Sequence, residues 1–199
     1  MDHANGVNGV NTAGGYGVRA ESNSGVALAA KSAEDNIIEA WDTDPNPDRR
    51  WYVRNDGEVY ADGSFHSTGA DFAEMLPGAQ ESEPGDVLVV GSDGQLHRSS
   101  SPHDASVVGV YSTQSGFIGG SDEEMENPGD VPLAVVGVVP VKASAENGAI
   151  APGDLLTSSS TPGHAMRADA NPPVGTVIGK ALEGLDEGLG VVQMLVTLQ

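Results

Sequence analysis

The apolar positions of this chain fall into two patterns that change character near residue 70. Up to about residue 35, single valines alternate with glycine and small polar residues, as in "NGVNGVN" and "GYGVRAESNSGVALAAKS", where Gly17-Val18 and Gly25-Val26 lie eight residues apart. Gly-Val steps of this kind predict short strands with tight corners. A segment so poor in bulk buries little apolar area alone, so it is expected to stack on repeats or on copies of itself from other subunits. Residues 36–70 are richer. "NIIEAWDT" predicts a strand that ends in the turn "DPNPD". "WYV", "EVYA" and "SFHS" follow as short strand candidates around two Asp-Gly corners, Asp56-Gly57 and Asp62-Gly63, which suit the left-handed dihedrals of hairpin turns. This is the pattern of a β-meander, with Trp41, Trp51, Tyr52, Tyr60 and Phe65 as its packing anchors. "ADFAEMLP" reads as a short helical turn or an extended hinge, and a domain boundary is placed near residue 70.

Beyond it, "DVLVV", "SVVGVY", "PLAVVGVVPVKA", "DLLT", "GTVIGKAL" and "GVVQMLVTLQ" form a series of apolar strand candidates. Glycine, proline and aspartate break them at short intervals, as in a compact β-barrel or sandwich. The stretch 115–132, "SGFIGGSDEEMENPGDVP", interrupts the series as a long acidic loop. An internal echo is also present. "EPGDVLVV" is matched by "APGDLLTS", and the "VVGV" after the first by the "VIGK" after the second, which predicts paired lobes each opened by a Pro-Gly turn. The expected architecture is all-β: a short β-helical or intersubunit-stacked glycine-valine segment (1–35), a β-meander and junction (36–70), and a barrel-like C-terminal domain (71–199).

Composition narrows the functional classes. With no cysteine, disulfides, thiol catalysis and thiolate metal sites are excluded. No apolar run approaches the roughly 20 residues of a membrane-spanning helix, so no membrane insertion is expected, and the amino terminus has no signal-peptide pattern. Acidic residues number 29 against nine Lys plus Arg, a net charge of -20, which disfavours binding to nucleic acid phosphates. The acid is spread along the whole chain. It fits either an ordinary soluble acidic surface or adaptation to high salt, where the self-repulsion is screened. In the acidic loop, Asp122, Glu124, Glu126 and Asp130 are candidate ligands for calcium or another hard cation, which takes six to eight oxygens. Otherwise no cofactor is expected. The five histidines show no metal-ligand spacing, and neither a dinucleotide fingerprint nor a phosphate loop is present. The remaining chemical candidates are Asp71 and Glu74, three residues apart. They would share one side of a helical turn, where close carboxylates divide into acid and base.

The stretch "NDGEVYADGSFHSTGADFAEM", followed by "EPGDVLVVGSDGQL", resembles the junction in phage tail-spike and preneck-appendage proteins. There a β-rich trimeric shaft meets a C-terminal intramolecular chaperone domain that cleaves itself off. Similar "DFAEM…PGDVL…GDLLTSS…GTVIGKALE" stretches end other surface proteins, and the resemblance covers roughly residues 50–199. It implies a homotrimeric fibre, spike or decoration of a virion or extracellular surface, within a larger assembly that contacts a host glycan or receptor. Threefold packing would bury Trp41, Trp51 and the leader valines. The resemblance also implies a cut at the Ala70–Asp71 bond, with Asp71 and Glu74 assisting. Cleaving members carry serine where this chain has Ala70, a departure that matters if the hydroxyl attacks. Three readings follow: a structural or attachment protein, a self-processing assembly chaperone, and a carbohydrate-binding fibre tip.

Overall fold

Strands account for all the regular structure of the described residues, as the abundance of glycine, proline and β-branched side chains dictates. The computed structural model describes residues 10, 12–14, 16, 18–43, 45–78, 81–120 and 129–197. The chain divides into two compact units, Met1–Phe65 and His66–Gln199.

In the first unit, β1 (Ile38–Trp41), β2 (Arg49–Val53) and β3 (Val59–Ala61) form an antiparallel meander in that order. Gly57, at φ 92°, closes the β2–β3 hairpin, its N–H donating to the Arg54 carbonyl. Directly paired residues share a face of a sheet. The rows Ile38–Val53–Val59 and Ala40–Trp51–Ala61 therefore lie on one face, and Glu39–Tyr52–Tyr60 on the other. A bulge at Ala40/Trp41 brings Trp41 opposite Arg49. The Arg49 guanidinium then lies 3.8 Å from the Tyr52 ring, 5.8 Å from the Trp41 ring, and donates to Glu39 at 2.8 Å. Two expectations are corrected here. "SFHS" is not a strand, because no neighbouring strand pairs with it, and the described residues of 10–35 carry no strand either. Of the aromatic anchors, Trp51 and Tyr52 are half-buried within the single chain, and Trp41, Tyr60 and Phe65 are exposed.

The described residues of the second unit form ten strands: β4 (Asp71–Pro77), β5 (Val87–Val90), β6 (Leu96–Arg98), β7 (Val107–Tyr111), β8 (Ser115–Gly119), β9 (Asp130–Ser144), β10 (Leu155–Ser158), β11 (Ala165–Arg167), β12 (Val177–Ala181) and β13 (Leu189–Val196). All six apolar candidates after residue 70 are strands. The C-terminal half of β9 pairs with β13, and the order β13–β12–β10–β11 returns to β9 through the parallel pair Ala165↔Ala143, closing a five-stranded barrel. Val139, Val141, Leu156, Ile178, Val192 and Met194 fill it, each at most 1% exposed. The N-terminal half of β9 pairs with β4 and β7 and carries β5, β6 and β8 alongside, over a smaller cluster of Leu88, Leu96, Val131 and Leu133. The acidic loop is shorter than expected, since Ser115–Gly119 is a strand and Asp130 opens β9.

The internal echo is a structural repeat. β6–β5–β7 and β11–β10–β12 have the same antiparallel order, and each central strand shifts register just after a leucine. Leu88 faces Gly109 and Arg98, and Leu156 faces Gly179 and Arg167. The entry turns match as well. The Asp86 carboxylate accepts from the Glu83 N–H and that of Asp154 from the Ala151 N–H. Gly85 and Gly153, both at positive φ, donate to Tyr111 and Ala181. Only the second copy lies wholly in the closed barrel.

Candidate functional site

The junction after residue 66 is where the candidate chemistry meets the fold. β4 runs between β8, parallel to it, and β9, antiparallel to it. The chain enters this position through two glycine-permitted approaches. A Cβ at Gly69 would lie 2.3 Å from the Ser115 carbonyl carbon, and one at Gly137 (φ 119°) only 2.5 Å from the Ala70 oxygen. The Ala70 carbonyl accepts from the Val138 N–H at 3.3 Å.

Because 71–77 is a strand, the helical turn that would place Asp71 and Glu74 together does not form, and the extended alternative holds. Pairing on both sides leaves the backbone hydrogen bonds of this segment to the sheet. Residues three apart in a strand point to opposite faces and stand about 10 Å apart along it. The burial pattern agrees: Asp71 and Ala73 are buried, Phe72 and Glu74 exposed. Asp71 is 4% exposed, and its Oδ2 has no hydrogen-bond partner. It borders a cavity of about 190 Å³ with Thr68, Ala70, Gln114, Val138 and Gln193. Glu74 instead lies over the other strand edge, where a Cβ at Gly119 would be 2.9 Å from its Oε2. Within one chain the two carboxylates do not form a proton-sharing pair.

On the outer face, Phe117, Phe72 and Val136 are cross-strand neighbours and form an apolar row, with the two rings stacked at 5.0 Å. Each of the three is about half exposed; Leu189 and Val191 are exposed farther along the sheet, opposite Ser144 and Lys142. Of the candidate cation ligands, Asp122, Glu124 and Glu126 lie outside the described residues. Asp130 is paired with Pro77 at the start of β9. Among the described residues no group of three or more His, Asp or Glu is arranged to hold a metal ion.

Two charged clusters escaped the sequence reading. Lys142 Nζ lies 2.8 Å from Asp86 Oδ1 and 3.2 Å from Glu83 Oε1, with Asp86 fully buried. Burial pulls the Lys142 pKa down, but the hydrogen bonds it donates to Asp86 and Glu83 outweigh it and hold the group above its ordinary value. Glu146 accepts from the Ser160 N–H at 2.7 Å and from the Ser160 and Thr161 hydroxyls. Burial pushes this carboxyl up, yet the donated bonds prevail and hold it below the usual range. The repeat was the one available signal for the first cluster: Asp86 and Asp154 are equivalent, but only Asp86 receives a lysine.

The fold and junction define a class: an all-β protein with a closed five-stranded barrel, a flanking sheet and a buried aspartate at the entrance. Among solved structures, the chain is similar to the pre-mature gene product 12 of bacteriophage phi29, with a TM-score of 0.56 and 16% identity. That match covers 75% of this chain and 24% of the other, so this chain spans about a quarter of its length, and at this identity the likeness is one of fold. The head fiber gp8.5 N base of bacteriophage phi29 superposes more distantly, with a TM-score of 0.32 and 18% identity over 66% of this chain and 93% of that chain. No family model and no curated protein matches the chain.

Proposed function

We propose that this chain is a structural or attachment protein of a virion or cell surface, working as a homotrimeric spike, fibre or decoration. The observation that carries the reading is the likeness of fold, over 75% of this chain, to a phage gene product. It is supported by a first unit whose described residues include no buried side chain and which therefore needs other chains to pack against. The net charge of -20 fits a surface that stays hydrated in concentrated salt.

A second reading is a self-processing assembly chaperone cut at Ala70–Asp71. Asp71 favours it, since a buried carboxylate oxygen without a donor is costly in a purely structural role. Glu74 on the opposite face weighs against a single chain doing this chemistry alone. Native mass in concentrated salt, with denatured chain mass from the same sample, separates the readings. Three full-length chains support the permanent assembly, a fragment from Asp71 to Gln199 supports self-processing, and a full-length monomer removes both.

A further inference from the structure

The described residues of the first unit form regular strands and no buried core. None of its described residues is buried, although its three strands are in register and its hairpin is well formed. A three-stranded sheet in water needs an apolar face packed on something to be stable. The paired rows on one face of this sheet are all apolar: Ile38, Val53, Val59, Ala40, Trp51 and Ala61. Ile38 and Val59 remain 40% and 49% exposed. The opposite face holds Glu39, Arg49, Tyr52 and Tyr60, and the arginines of this unit's sheet are engaged within it, Arg49 by Glu39, Arg50 by Asp42 and Arg54 by Asp56 and Glu58.

The structure assigns the Ile38/Ala40/Trp51/Val53/Val59/Ala61 face, we infer, as a contact between copies of this chain, a proposal that rests on the homotrimer reading and locates its first interface. Six side chains are few beside the roughly 20–30 residues per side of a standard interface, so a foreign protein recognising this sheet alone would bind weakly. A second copy of the same chain is different, because it brings another apolar surface with it. The half-exposed Phe117–Phe72–Val136 row of the second unit supplies that surface. Two weak contacts in one chain reinforce each other through effective concentration. These six side chains carry no charge, so apposing them in two copies buries none among them despite the acidity of the chain. Trp41 and Trp51 lie on opposite faces, and this contact engages Trp51.

The absence of cysteine makes the test clean. Ala40→Cys and Ala61→Cys place a thiol on the apolar face, and Tyr60→Cys places one on the opposite face. Each full-length variant is treated with a short bis-maleimide linker, and its native mass is measured in parallel. Ala40→Cys and Ala61→Cys are expected to yield covalent dimers more than about ten-fold faster than Tyr60→Cys, since the face holds its partners at high effective concentration. An oligomer with no such bias overturns the assignment of this face and leaves the homotrimer reading standing. A full-length monomer overturns both.

Discussion

Lys142 and Asp86 form an ion pair at 2.8 Å in which the carboxylate is fully buried and the ammonium is partly open to solvent. The pair ties the long strand β9 to the Pro-Gly-Asp turn that opens the first repeat. Lys142→Met leaves Asp86 buried without its cation. The expected loss is about 2–3 kcal/mol, reduced from the usual cost of breaking a buried pair because water reaches the lysine. The folded pKa of Lys142 is raised, so its contribution is complete below the ordinary lysine value and fades as pH climbs through the raised one. Urea unfolding at neutral and strongly alkaline pH checks both points: the alkaline fall in stability should shrink in the variant.

Glu146 supports the opposite dependence. Its folded pKa lies below the ordinary value, so its stabilisation is present above that value and is lost as pH falls through the lower, folded one. Glu146→Gln is expected to cost roughly 1 kcal/mol near neutral pH, screening at this exposed site included. It should cost little below the folded pKa. Thermal melts at about neutral pH and in strong acid read the difference; an equal cost at both assigns the effect to packing.

Asp71→Asn tests the junction in two ways. Replacing this nearly buried carboxylate, whose Oδ2 lacks a donor, by a neutral amide of the same shape should leave stability unchanged or raise it by about 1 kcal/mol, because burying a charge costs more than burying a neutral polar group. On the structural reading, wild type and variant both keep full-length mass after prolonged incubation of the assembled protein. A fragment beginning at Asp71 in wild type and absent from the variant would instead establish self-processing.

The acidity of the chain gives a prediction about salt. With a net charge of -20, lowering sodium or potassium chloride from about 3 M to about 0.1 M lengthens the screening distance several-fold and exposes the self-repulsion. Circular dichroism should show loss of β-structure across this range. A constant spectrum makes the acidity an ordinary soluble surface.

What the sequence determined by itself is the local order. The apolar runs after residue 70 are strands because β-branched residues between glycine and proline breaks have few other solutions. The paired Pro-Gly-Asp turns revealed the repeat because such turns are built from near neighbours: the Asp86 and Asp154 carboxylates each accept from an N–H three residues back. Short segments without a bulky apolar pattern, such as β8 and β11, stayed hidden because they are strands only through their neighbours.

The tertiary structure decided everything that depends on pairing between distant segments. Barrel closure rests on the single parallel match of Ala143 with Ala165, which no local pattern announces. The i, i+3 spacing of Asp71 and Glu74 is compatible with a helix or a strand, and β8 and β9 settled it by occupying both edges of β4. One bulge at Ala40/Trp41 fixed which residues Trp41 meets, and the cross-strand register put Trp51 on the other face. Side chains change face at every residue of a strand, so register decides which residues meet, and register is set only when the partner strand arrives.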